Sequence, residues 1–361
     1  MQKHIIAVFG DIGGCKETVP ALALLKKRRV GIEIVLDASP QSKAATVLPP
    51  DLGPTSQGRM PVDGDAPDAI VVGVSATAVG AQIAWTDWGR SRGIPVIWIE
   101  DLYGTGERAS VRGCAGPSVL CAIDEVAGGI AHQAWPDAQI VVCGKPTFAH
   151  VGQLIARQVD VRERVRTALG LRTAEKLLTW YSGGDRPAEE LATVIEGIEP
   201  LQKHPELRVA ARVHPKMAEP VLGQIRERIA SWPASFRIDP AAATALGADE
   251  LTIGSDVVVG TWGSTQCYVA VLAHVACIST HYGPPEPRLA VGYPRGDSPA
   301  VAAGAAIKAT TPAGVRDRVI DVLAGTAHGA HAMRSLADPF RALIAPDAPE
   351  RIADAVVAAL G

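Results

Sequence analysis

The run VVVGTWGSTQCYVAVLAH at residues 257–274 begins as an apolar strand pattern, breaks at Gly260, crosses a turn of Gly, Ser and Thr, and re-enters an apolar helix pattern. A buried strand passing through small residues straight into a helix is the repeating unit of parallel α/β sheets. A helix beginning near Ser264 or Thr265 leaves backbone N–H groups without partners and presents its positive dipole end, so the turn is a candidate anion cradle. The plainer reading is ordinary punctuation between strand and helix.

Working outward, the same unit recurs along the chain. Apolar runs at 4–10, 31–38, 68–75, 95–101, 119–124 and 140–144 read as strands, with helical patterns at 20–29, 78–92 and 125–135. Their continuous Val and Ile content predicts strands covered on both faces, which is the condition of a parallel, doubly wound sheet. Residues 45–66, rich in Pro, Gly and Asp, read as a long loop. A second round places strands at 176–182, 208–214, 235–238, 256–260, 275–280 and 306–309, and helices at 188–202, 220–231, 266–273, 312–323 and 349–360. The expected fold class is α/β: two Rossmann-like domains, 1–160 and 161–361, with parallel sheets facing a central cleft. Ligands of such sheets bind outside the carboxyl ends of the strands.

Composition narrows the function classes. With 361 residues, 47% apolar and 20% charged, the chain has the balance of a globular protein with well-filled cores. A formal charge of -3 gives no footprint for nucleic acid or an anionic membrane surface, so any anion site is local. Six cysteines without a C-x-x-C pair read as reduced, buried thiols. No run has the length of a membrane span and the amino terminus lacks a signal-peptide layout, so a cytoplasmic location is the expectation.

Candidate chemistry collects at strand ends. FGDIGGCKE, residues 9–17, turns directly after the first strand, and Asp11, Gly13 and Gly14 are the candidate acceptor-side contacts. Its spacing is neither that of a dinucleotide fingerprint nor that of a P-loop. Glu100 and Asp101 end the strand in WIEDLYGTGE as adjacent carboxylates; alternation sends them to opposite faces, so one of them is the candidate general base. His214 precedes Pro215, which stops the strand and leaves the imidazole at its carboxyl end beside Lys216, fit to meet a phosphate oxygen. Ser182 and Gly183 in YSGGDRP form another strand-to-helix turn, where Ser182 is a phosphate candidate and Asp185 or Arg186 caps the helix. His328 and His331, three apart, lack a third ligand, and no metal site is expected. Asp124 and Glu125 read as caps, and Cys267 and Tyr268 as packing residues.

At this point the chain resembles the GT-B superfamily, the two-Rossmann architecture of many nucleotide-sugar glycosyltransferases and of the UDP-N-acetylglucosamine 2-epimerases. GIPVIWIEDLYGTG (93–106) and VVCGKPTF (141–148) carry the likeness in the first half. ARVHP (211–215), GTWGSTQ (260–266) and VGYPRGDSPAVAAGAAIKATTP (291–312) carry it in the second. His-Pro after a strand is also similar to the phosphate-holding motif of bacterial sialyltransferases. The chain departs from the epimerases at two places. Val74, Ser75 and Ala76 stand where those enzymes have an acidic residue, and GSTQCY (263–268) replaces Gly-Gly-x-Gln-Glu-Glu, so the ribose-gripping glutamate is missing.

The resemblance implies a glycosyltransferase that takes a nucleotide-sugar as co-substrate, without a cofactor or metal, and passes the sugar to a small-molecule or glycan acceptor. It implies that Ser264, Thr265, Gln266 and His214 lie on the phosphate side, to which Gly263, Ser182 and Gly183 are added as candidates by their place in the strand-to-helix turns. A sugar-nucleotide epimerase or hydrolase, and a catalytically silent nucleotide- or sugar-binding protein, are the alternatives. A homodimer is left open.

Overall fold

A computed structural model describes residues 2–40, 42–62, 64, 66–75, 78–105, 111, 113–183, 187–214, 217, 219–281, 297–325 and 335–361. Asp185, Arg186, Pro215, Lys216, His328, His331 and Ala76 lie outside the described residues. These form two compact units: unit 1 takes in 2–152 and 339–361, and unit 2 takes in 153–281 and 297–338.

In unit 1, seven strands pair in the order β3-β2-β1-β4-β5-β6-β7. They are β1 (His4–Phe9), β2 (Gly31–Leu36), β3 (Thr55–Gln57), β4 (Ala69–Gly73), β5 (Val96–Ile99), β6 (Val119–Ala122) and β7 (Gln139–Val142), and every pairing is parallel. All residues of β4, β5 and β6 are buried, as expected where helices cover both faces of a sheet. In unit 2, β8 (Lys176–Tyr181), β9 (Leu207–Arg212), β10 (Val257–Thr261), β11 (Ala276–Thr280) and β12 (Ile307–Ala309) pair in the order β12-β11-β10-β8-β9, again all parallel. Each sheet has a point where successive connections leave in opposite directions, between β1 and β4 in unit 1 and between β8 and β10 in unit 2.

Four expectations are corrected. The first helix spans Ile12–Lys27, so Gly13 and Gly14 belong to its first turn and Pro20 lies inside it. The glycines read as a break because of their backbone freedom, yet here they serve close packing: a Cβ on Gly14 would lie 2.3 Å from the Val74 carbonyl oxygen. Residues 45–66 contain β3, a polar edge strand (TSQ) joined to β2 through backbone pairing that no side-chain pattern announces. Residues 235–238 make only an isolated bridge between Val209 and Arg237.

The fourth correction concerns the domain division. The closing helix Ala348–Ala359 does not complete the second half; Ile352, Ala353 and Val356 are buried in the unit 1 core with Ile5, Leu22, Leu25 and Ile34. An amphipathic pattern shows that a helix needs an apolar partner but not which sheet supplies it. Ile352→Ala should therefore loosen unit 1 alone. Hydrogen exchange should speed up in β1, consistent with a cost of about 2–5 kcal/mol, and stay unchanged in β8 and β10.

Candidate functional site

In unit 2 the turn after β10 adopts the expected form. Gly263 has φ +60, a left-handed backbone that glycine takes without strain, and Ser264 then stands as N-cap of the helix Thr265–Leu272. The Ser264 side chain does not cap that helix; its Oγ lies 3.3 Å from Cys267 Sγ. Cys267 N–H donates to Ser264 O at 2.9 Å, whereas among the described residues no acceptor meets the N–H groups of Thr265 and Gln266. Two backbone donors thus stand at the positive end of the helix.

Neighbouring strands add to this edge. The His214 N–H donates to Ser182 Oγ at 2.6 Å, and Ser182 N–H donates to Arg212 O at 3.1 Å, so the turn after β8 and the end of β9 are stitched together. The hydroxyl proton of Ser182 remains able to donate, and the His214 side chain is half-buried. A Cβ on Gly183 would lie 2.4 Å from Thr261 Cγ2, which places the Ser182–Gly183 turn directly against the end of β10. His214, Ser182 and the Ser264–Thr265 turn are therefore assembled around the β8/β10 switch point, where open α/β sheets bind ligands.

Two residues differ from expectation. The Gly183 N–H is committed to the fully buried Glu190 carboxylate, at 3.0 and 3.1 Å to its two oxygens, and is not offered outward. The Gln266 side chain donates to Asp249 Oδ1 at 2.9 Å and accepts from Thr252 Oγ1 at 2.6 Å, leaving only its backbone N–H for an anion. Sequence reading also missed Trp262 and His281, whose rings stack 4.5 Å apart and 4° from parallel at the ends of β10 and β11. Tyr268 and Cys267 are buried, as read. Cys267 and Cys277 share a thiol hydrogen bond, which, with burial, pushes the Cys277 thiol well up. Burial also raises Cys15 to about 12 and Cys114 to about 11, so these thiols stay protonated and unreactive.

In unit 1 the β1/β4 switch point is held by Ser75. Its Oγ accepts from the N–H of Gly10 at 3.1 Å and of Asp11 at 2.9 Å, while its own N–H donates to Gln82 Oε1 at 2.9 Å. Asp11 is the N-cap of the first helix, and its Oδ1 accepts from Ala78 N–H at 3.3 Å. Asp101 is 6% exposed, and a Cβ on Gly13 would lie 2.3 Å from its Oδ2. The group that approaches Gly13 is thus the Asp101 carboxylate itself, seated at the first turn of the helix. Glu100, 1% exposed, accepts from Thr105 Oγ1 at 2.8 Å. Lys145 Nζ donates to the Asp101 backbone oxygen at 2.6 Å and pairs with the buried Glu17 at 2.8 Å, which fixes the loop after β5. Asp37, at the end of β2, accepts from Ala81 N–H at 2.7 Å and anchors the helix Gly80–Ser91, a role no motif announced.

Asp124 caps the helix Glu125–Ala134, accepting from Ala127 N–H at 2.8 Å, and also accepts from the Tyr103 hydroxyl. Burial outweighs these hydrogen bonds and raises its pKa from 3.8 to about 6.

Neither a protein-family model nor a curated protein matches this sequence. Solved structures do match in fold. Acinetobacter baumannii MurG superposes with a TM-score of 0.59 at 14% identity, covering 99% of each chain. The UDP-GlcNAc 2-epimerase of Neisseria meningitidis bound to UDP-GlcNAc gives 0.59 at 12%, covering 98% of this chain and 100% of the other. Anabaena HepE in complex with UDP gives 0.60 at 12%, covering 99% and 100%. These are GT-B proteins, and this chain has their fold, with its two parallel sheets in Rossmann-like units. Among the described residues no helix is long and apolar enough to cross a membrane.

Asp124 gives a prediction with a definite sign. Its folded pKa lies above the unfolded one, so the folded state binds the proton more tightly and stability falls as pH rises from about 4 to about 6. The slope should flatten in Asp124→Asn, and carbon NMR of the Asp124 carboxyl should titrate near 6. Ser182→Ala should cost about 1 kcal/mol in denaturant unfolding of unit 2, because the His214 N–H loses its acceptor.

Proposed function

We propose that this chain is a glycosyltransferase of GT-B architecture that takes its sugar from a nucleotide donor. The observation that carries the reading is the grouping of the Thr265 and Gln266 N–H groups, Ser182 and His214 around the unit 2 switch point, an arrangement suited to a phosphate or diphosphate. The ligands of similar structures point the same way, UDP-GlcNAc in the Neisseria enzyme and UDP in HepE.

In this reading the nucleotide diphosphate leaves the sugar carbon while its growing negative charge meets preorganised donors: the two backbone N–H groups, the Ser182 hydroxyl and the His214 imidazole. Such donors act on charge that develops in the transition state and need no reorganisation as it forms. Unit 1 takes the small-molecule or glycan acceptor, with Asp11 near the β1/β4 turn. An inverting transfer needs a base for the acceptor hydroxyl. Asp101 is the first choice, because Glu100 is more deeply buried and already accepts from Thr105. Lys145, itself paired with Glu17, holds the Asp101 backbone and so positions its carboxylate.

One observation favours a second reading. GSTQCY lacks the ribose-gripping glutamate, and the Gln266 side chain is tied to Asp249 and Thr252, which suits a nucleotide-sugar-binding protein without turnover. A thermal-shift panel of UDP, GDP, dTDP, CDP and CMP separates the cases. At least one should raise the melting temperature, and none doing so would overturn nucleotide binding altogether. His214→Ala should weaken the best nucleotide about tenfold, or about 1.4 kcal/mol, with the fold intact. Asp101→Asn should lower kcat by roughly 10²–10⁴ and leave nucleotide affinity unchanged. Binding without transfer to any of a broad acceptor panel moves the assignment to the silent binder. Donor breakdown or epimerisation without an acceptor moves it to the epimerase or hydrolase.

A further inference from the structure

A cavity of about 530 Å³ lies in unit 2 beside the edge strand β9, against the helices Val221–Ser231 and Pro240–Ala245. Its volume falls in the range of about 300–1,000 Å³ usual for small-ligand pockets. Arg212, Arg226 and Arg237 line it, together with an apolar wall that includes Val213, Ile229 and Pro240, and among the described residues no carboxylate lines it. Arg212 and Arg237 are half-buried there, and drawing like charges together out of water is costly unless something answers them.

The arginines are partly answered by backbone. Arg212 Nη1 donates to Leu246 O at 2.8 Å and Ala243 O at 3.4 Å, at the carboxyl end of the helix Pro240–Ala245. Arg237 Nε donates to Trp232 O at 3.2 Å, just past the helix Val221–Ser231. Each guanidinium carries five N–H groups, so among the described residues Nε and Nη2 of Arg212 and both terminal nitrogens of Arg237 keep their donors unspent. Among the described residues Arg226 has a long ion pair with exposed Glu219, at 3.9 Å. Half-buried guanidinium groups held by backbone carbonyls, with donor edges to spare, form the fork that recognises phosphate.

We infer that this cavity is a second anion site, apart from the Ser182, His214 and Ser264 cluster, and that it takes a small phosphate monoester with an aromatic or aliphatic group. The phosphate meets Arg212 and Arg237, with Arg226 at the exposed side, and the organic group lies on Val213, Ile229 and Pro240. The site stands whether or not the chain transfers sugar, because no side chain that lines it is placed in that chemistry; Arg212 meets Ser182 through its backbone oxygen alone.

Phenyl phosphate is the probe. Calorimetric titration of the full chain should show binding that falls at least tenfold in Arg237→Gln and persists in His214→Ala. Thr244→Trp, at an exposed position on the lining, should block binding while leaving the three arginine-to-carbonyl bonds in place, so loss of affinity there cannot be put down to a lost helix cap. Crystals soaked with 4-bromophenyl phosphate should give a bromine anomalous peak beside Ile229. No binding, equal affinity in wild type and Arg237→Gln, or a bromine peak only near His214 would each overturn the proposal and leave the arginines as helix caps. A nucleotide panel without a hit would end the glycosyltransferase reading but leave this site untouched.

Discussion

Parallel pairing is the constraint from which the rest follows. Every strand in both sheets runs the same way as its neighbours, so in each unit all carboxyl ends emerge along one edge, and every connection must travel back along a helix or loop before the next strand begins. Turns distant in sequence are thereby brought side by side. Ser182 and Gly260 lie 78 positions apart along the chain, yet β8 and β10 pair directly. The same constraint brings Gly10 and Asp11 to Ser75 in unit 1. At each switch point the connections diverge, and the gap this leaves is where small polar side chains and free backbone donors collect.

Buried polar groups then fix the loops at that edge. In unit 1, Asp37 holds the start of one helix, Asp124 holds another and takes the Tyr103 hydroxyl, and the Glu17–Lys145 pair secures the backbone of Asp101. In unit 2, Glu190 does this for Gly183 and Ser182 for His214. Polar groups buried in this way stabilise little in net terms, but removing one partner strands the other without water, so they define the loop conformation sharply. Close approaches at Gly10, Gly13 and Gly14 belong to the same scheme, since each admits another part of the chain where a methyl group would collide.

How much of this was legible follows from range. The alternation of apolar runs with helical patterns is local, and it placed eleven of the twelve strands among the described residues; β3 escaped because TSQ pairs through its backbone alone. The turn itself was legible at Gly263 and Ser264, because small residues between an apolar strand pattern and an apolar helix pattern mark where the one ends and the other begins. The commitments of Gln266 to Asp249, of Gly183 to Glu190 and of Lys145 to Glu17 were not legible, since each joins residues whose proximity exists only once the chain has folded. For the same reason the closing helix, plainly amphipathic in sequence, gave no sign that its apolar face fits the first sheet.

The central claim is that the β8/β10 edge of unit 2 is an anion site built for a nucleoside diphosphate. Amide chemical-shift mapping of the isotope-labelled chain, titrated with UDP, tests it most directly. The account predicts the largest shifts at the N–H groups of Thr265 and Gln266, which have no acceptor among the described residues, with smaller ones at Ser182 and His214. Saturable shifts confined to other strand ends, with Thr265 and Gln266 unmoved, would contradict it.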